Sequence, residues 1–229
     1  MKFFDSVLSE FLNSISSFDV KEYQTSQPWK DAGRSEFIMQ RDCALELKGT
    51  GFNIVTSTNI GCDKITLIGK DLSELKGEVP YVRVSVIQID DIADEQKAYN
   101  TIRKIEFSKY HCFPEGFMTR AEADTCNESV RVSKKSVKDG MSFENTGALL
   151  IEKYKENPSV KAVAVYYITD QAYDYKSADA LAHKSKDILD TLNHIMKDIK
   201  LDCDSCALKP VCDEVEGLRE LHFGNAKTE

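Results

Sequence analysis

Over the first fifteen residues Phe3, Phe4, Val7, Leu8, Phe11, Leu12 and Ile15 recur every three or four positions. That spacing gathers them into one stripe and predicts an amphipathic helix docked on the domain. Residues 18–35, with Pro28, Trp29 and Gly33, read as a connector, Trp29 covering a core edge. From 36 to 89 the period shortens. Predicted strands are Glu36–Met39, Cys43–Leu47, Phe52–Ser57, Lys64–Gly69 and Tyr81–Ile89, punctuated by Gly49, Gly51, Gly61 and Gly77. Val82, Val84 and Val86 alternate as one face of a half-buried strand would. Asp94 is positioned to cap a helix running to about Tyr110, with Tyr99, Ile102 and Ile105 facing inward.

The second half is punctuated as clearly. Residues 111–129, HCFPEGFMTRAEADTCNES, read as a long loop, irregular at its start, that holds His111, Arg120 and Cys126; Arg131 opens the next element. A loop of that length in a compact domain is more often functional than not. Ser133 caps a short helix ended by Gly140, and a second helix near Thr146–Glu156 is stopped by Asn157-Pro158. Val160–Thr169, VKAVAVYYIT, is almost continuously apolar, as a central strand buried on both faces would be. Asp170 opens a helical tract to about Lys200, striped by Leu181, Ile188, Leu192, Ile195 and Ile199. The expected fold is α+β: a mixed or mainly antiparallel sheet with packed helices and a long C-terminal helical arm leading to a cysteine-rich tail. Its expected divisions are 1–35 (helix and connector), 36–172 (α+β domain) and 173–229 (arm and tail).

Composition narrows the function. The chain has 229 residues, 41% of them hydrophobic, and a net charge of −8. That balance argues against a nucleic-acid binder, which needs a clustered basic face. No apolar run is long enough to cross a membrane, and Asp5 and Glu10 interrupt the N-terminal stretch against a signal peptide. A cytoplasmic location is expected, where the seven cysteines are reduced or metal-bound. No Ser-His-Asp arrangement, Walker loop or GxGxxG fingerprint is present.

The tail carries the chemistry. Cys203 and Cys206 form a C-x2-C pair, and Cys212 follows after the Lys209-Pro210 bend. Two thiolates at that spacing grip one ion or one cluster edge, and a third closes in on the same centre. The leading reading is a metal site, an iron–sulfur cluster or alternatively zinc. A redox dithiol and three reduced thiols in a tail helix are the other readings. His222, Cys126 or a partner residue are candidates for the fourth ligand.

Arg131–Ala172, RVSKKSVKDGMSFENTGALLIEKYKENPSVKAVAVYYITDQA, resembles the acetyl-CoA synthase β subunit of the carbon monoxide dehydrogenase/acetyl-CoA synthase complex. Ile65–Asp71, the Tyr81–Ile89 strand and the helix into Tyr110 fit the same pattern, so the resemblance covers roughly residues 36–172. It implies that family's α+β middle domain, an anaerobic cytoplasm, protein partners of that complex, and coenzyme A as a candidate ligand with Arg120 and Arg131 as anion contacts. The Cys203-x2-Cys206 pair matches the start of the family's cluster motif, but the x5 spacing to Cys212 departs from it, and no Cys-Gly-Cys nickel segment follows. The chain is therefore expected not to assemble acetyl-CoA alone. Three functions follow: an accessory protein that binds a partner and holds a cluster or metal, a subunit completing an acetyl-CoA synthase site with partner chains, or a structural zinc and interaction module without catalysis.

Overall fold

A computed structural model describes residues 2–24, 26–34, 36–122, 124–196, 206–215, 218 and 221. In chain order the elements are α1 (Asp5–Ile15), β1 (Lys21–Tyr23), β2 (Cys43–Thr56), β3 (Lys64–Ile68), β4 (Gly77–Ile89), α2 (Glu95–Ser108), β5 (Phe117–Ala121), β6 (Asn127–Ser133), α3 (Lys134–Lys138), α4 (Phe143–Lys155), β7 (Val160–Ile168), α5 (Tyr175–Met196) and α6 (Lys209–Glu214). The seven strands form one mixed sheet in the order β1-β3-β7-β4-β2-β6-β5. The β2/β4 and β3/β7 pairs are parallel; the other neighbours are antiparallel. The α+β class and mixed sheet are as the hydrophobic pattern predicts.

Helices cover both faces. On one, Gly147 of α4 packs against Ile65 and Tyr167, and Tyr81, Phe143 and Tyr167 stack. On the other, Phe11 of α1 meets Phe52 and Tyr166 edge-on, and α5 lies along β2. Helix α2 touches both α4 and α5. One apolar core joins these layers and includes Val215, Leu218 and Leu221 near the C-terminus. β7 is buried along nearly its whole length, as its apolar run requires of a strand flanked on both sides.

Local signals set most boundaries. The Asp94 carboxylate accepts from the Lys97 N–H and starts α2, and Ser133 does the same for α3. Ser142 and Asn145 form a reciprocal capping box on α4, which therefore begins at Phe143, earlier than the apolar spacing suggests.

Several expectations are corrected. Cys43–Leu47 and Phe52–Ser57 are one fourteen-residue strand, with Gly49 and Gly51 inside it. Glu36–Met39 joins no strand. Ile38 alone is buried, while Phe37 is 78% exposed. The 111–129 stretch is not loop throughout: it contains β5 and the start of β6, which pair as a hairpin. Asp170 folds into a turn, accepting from the Ala172 N–H, and Asp174 accepts from Lys176 and Ser177 at the true start of α5.

Candidate functional site

The sheet face beneath α4 carries a charged pair in its interior. β4 supplies Arg83 and β6 supplies Glu128, and β2 runs between them. Arg83 Nε donates to Glu128 Oε1 at 3.0 Å and its Nη2 donates to Oε2 at 2.6 Å. This two-point contact is the geometry in which guanidinium and carboxylate match best. Nη1 donates to Ser85 Oγ at 3.0 Å, and the Tyr81 hydroxyl donates to Glu128 Oε1 at 3.3 Å. The pair must cross β2, and Gly51 makes that crossing open. A Cβ there would lie 1.9 Å from Glu128 Oε2 and 2.9 Å from Arg83 Nη2. Burial, reinforced by the Glu128 charge, pushes the Tyr81 hydroxyl far above its ordinary range, so it remains a donor.

Above the pair lies a cleft of about 110 Å³, walled by Lys109, Cys112, Phe117, Leu150 and Tyr167 among others. Burial pushes the Cys112 thiol up to about 12, with the Asp31 charge adding to it, so this thiol is inert at neutral pH. Burial opposes the charge on Lys109, but Glu106, 2.9 Å away, holds the ammonium above its usual range. Trp29 packs against the core and donates from Nε1 to the Glu115 carbonyl at 2.7 Å, holding the segment that enters β5. A second chamber, about 170 Å³, shares Lys109, Tyr110 and Ala121 with the first and reaches Asn53 and Cys126. Cys126 has φ 57°, a left-handed conformation uncommon for a side-chain-bearing residue, and its thiol donates to the Ala182 carbonyl.

The arginines singled out in sequence lie elsewhere. Along β6, Glu128, Val130 and Val132 are buried while Ser129 and Arg131 are half-exposed. Arg120 of β5 pairs with Ser129 in register, so Arg120 and Arg131 share the sheet face opposite the cleft. Each faces a carboxylate: Arg131 is 3.1 Å from Glu46, and the exposed Arg120 is 3.7 Å from Glu122. His111 is exposed beside Phe107.

Of the tail cysteines, Cys206 and Cys212 are half-buried, the first preceding α6 and the second within it; Cys203 and His222 lie outside the described residues. Their thiolate chemistry suits zinc or an iron–sulfur cluster. Among the described residues, no three His, Cys, Asp or Glu side chains gather as a metal site. Lys184 of α5 meets Glu10 of α1 at 2.9 Å and Glu214 of α6 at 2.6 Å, tying α6 to the body.

Sequence reasoning missed Arg83, Glu128, Lys109, Cys112 and Asn53. Arg83 had a signal: it is the one cation in the run YVRVSVIQI. A charge at a buried strand position requires a partner.

A mixed seven-stranded sheet with helices on both faces and a cleft over a buried ion pair defines an α+β module. It has no nucleophile–base arrangement among the residues lining that cleft. The model of the family described as CO dehydrogenase/acetyl-CoA synthase complex beta subunit matches residues 32–173, more than half of the chain, and the chain belongs to that family. The matched stretch contains β2 to β7 and hence the cleft. No curated protein matches the chain. Among the described residues, no helix is long and apolar enough to cross a membrane.

Proposed function

We propose that this chain is an accessory protein of a carbon monoxide dehydrogenase/acetyl-CoA synthase-type system in an anaerobic cytoplasm. It binds protein partners of that system through its sheet module and holds an iron–sulfur cluster, or alternatively zinc, through Cys203, Cys206 and Cys212. The family match over residues 32–173 carries this reading, because it covers the sheet from β2 to β7. The donor set supports the metal: two described thiols flank Pro210, and soft thiolates select zinc and iron–sulfur centres. A coenzyme A phosphate at Arg120 and Arg131 would have to compete with Glu122 and Glu46, which already face them.

The test is metal and acid-labile sulfide analysis of protein purified without oxygen, together with size-exclusion chromatography after mixing with a purified complex of that type. Iron and sulfide in near-equal amounts and co-elution support the reading. Zinc without sulfide selects the structural clasp. Absence of both metals sinks the cysteine assignment, and failure to co-elute sinks the accessory role.

A further inference from the structure

β5 is the last strand of the sheet, and its outer edge is open among the described residues. Two bonds at its ends fix which backbone groups face outward. The Glu122 N–H donates to the Asn127 carbonyl at 2.9 Å, and the Ser133 N–H donates to the Gly116 carbonyl at 2.8 Å. In the β5/β6 register these are hydrogen-bonded positions, so Met118 and Arg120 between them also bond to β6, and Phe117, Thr119 and Ala121 turn their backbone groups away from it. The Phe117 N–H is taken by the Pro114 carbonyl at 3.0 Å. The edge therefore offers the N–H and C=O of Thr119 and of Ala121 and the C=O of Phe117, and Thr119, Arg120 and Ala121 are exposed. Sheets ordinarily blunt such an edge with charges, proline or a bulge. At the other end of the sheet β1 does so, with Lys21 and Glu22 in a strand of three residues. β5 carries only Arg120.

The two faces of β5 ask for different side chains. Phe117, Thr119 and Ala121 line the cleft above the ion pair, together with Leu150 and Tyr110, the last 42% exposed. A strand laid along β5 would set every second side chain over that apolar rim. On the opposite face the Arg120 side chain is 78% exposed, and its contact with Glu122 is 3.7 Å long. An exposed pair of that length contributes little and leaves the guanidinium open to a second carboxylate. A residue facing Arg120 would take a non-hydrogen-bonded position of the new ladder, where opposite side chains lie closest. We propose that the β5 edge takes an extended segment of another protein as a further strand, with apolar residues facing Thr119 and its alternates and an acidic residue facing Arg120. A second copy of this chain fits less well. Pairing two β5 strands through their outward residues sets Arg120 against Met118 or against its own equivalent, and neither supplies a carboxylate. The proposal rests on the partner-binding reading above and names its surface. A peptide tests it, so this edge can fail while co-elution succeeds, and the reverse.

The experiment is NMR titration of the full 15N-labelled chain with the capped peptide acetyl-Val-Glu-Phe-Thr-Val-amide. The Thr119 and Ala121 backbone amides should shift saturably and exchange with solvent more slowly, while the Phe117 amide, already bonded, moves less. Methylating the peptide's Phe nitrogen, which would donate to the Thr119 carbonyl, should abolish binding. Methylating its Glu nitrogen, which points away from β5, should not. Replacing Glu by Lys in the peptide, or Arg120→Glu in the protein, should each weaken binding about twofold to fivefold, the range of an exposed ion pair, and the two together should restore it. Thr119→Pro removes an outward donor that the native ladder does not use, so this variant should fold and not bind. If it fails to fold, the methylated peptides still decide. No saturable shift at Thr119 and Ala121, equal binding of the two methylated peptides, or the same amides shifting with protein concentration before any peptide is added would each overturn the proposal; the last would assign the edge to a second copy.

Discussion

Replacing Gly51 by alanine should strongly destabilise this protein, although the same change at an ordinary strand position does the opposite. Where the backbone conformation suits any residue, Gly→Ala usually adds about 0.4–1 kcal/mol by restricting the unfolded chain. Gly51 is not among the glycines with a left-handed φ, so the backbone itself offers no objection. The objection comes from the ion pair. The new Cβ would sit 1.9 Å from Glu128 Oε2, against an ordinary contact of about 3.4 Å, so the carboxylate must retreat by more than about 1 Å. It can swing aside only by giving up Arg83, which it holds at 2.6 and 3.0 Å. The Arg83 and Glu128 side chains are 8% and 3% exposed, so water cannot take over the lost contacts. Separating a buried pair costs about 3–5 kcal/mol. Set against the backbone gain, the net loss is about 2–4 kcal/mol, a large share of the roughly 5–15 kcal/mol that holds a typical domain together.

Urea unfolding followed by circular dichroism reads this as a lower midpoint at unchanged slope. The control is the same substitution in an Arg83→Met/Glu128→Ala background, where no carboxylate is left to displace. There Gly51→Ala should be neutral within about 0.5 kcal/mol or stabilising. Two results refute the reasoning: a neutral Gly51→Ala in the native background, or an equal penalty in both backgrounds.

Further predictions follow from the same geometry. A Cβ at Gly49 would lie 1.7 Å from the Tyr81 backbone carbonyl oxygen, which cannot move without breaking the β2/β4 ladder; Gly49→Ala should cost more than about 4 kcal/mol or prevent folding, as soluble yield and circular dichroism will show. Cys112 should resist alkylation at pH 8 in the folded state while the exposed Cys62 reacts, with mass spectrometry of the labelled peptides as the readout. Because burial raises the Cys112 thiol from 9.0 to about 12, the folded state holds a proton that the unfolded state has released within that window. Stability therefore falls as pH rises above about 9, by up to about 1.4 kcal/mol per pH unit from this group, and urea midpoints of Cys112→Ala should fall less steeply there. Asp94→Ala removes the acceptor for the Lys97 N–H at 2.6 Å and should cost about 1 kcal/mol in the same assay.

Legibility followed the range of the interaction. Caps were readable because their partners are close in sequence: Asp94 with Lys97, Ser133 with Lys135 and Ser136. β7 is readable because an apolar run buried at every position but Lys161 leaves little other choice. The cleft was not. Arg83 stands out within its own strand, but Glu128 lies 45 residues away and is brought opposite only by the β4-β2-β6 order. The 111–129 stretch contributes Cys112, Phe117 and Glu128 to the cleft lining, yet Arg120, its most visible side chain, lies on the other face. Gly49 and Gly51 were misread as strand ends, since a glycine that makes a turn and one that makes room look alike until the neighbouring strands are known.

That misreading bears on what the ion pair is for. A glycine inside a strand weakens it by about 0.5–1 kcal/mol relative to alanine. A buried salt bridge is no better than neutral against well-packed apolar residues of the same volume. On stability alone, β2 would carry a side chain at position 51, and positions 83 and 128 would be apolar like Val84 and Val130 beside them. The strand instead accepts both costs at one place, directly beneath the cleft. At that place Arg83 also donates to Ser85 Oγ, and Tyr154 of α4 donates to Asn53 of β2. Those costs have a common explanation if the pair is there to give the cleft a charged floor, and Gly51 is there to let Arg83 reach its counter-charge across the strand.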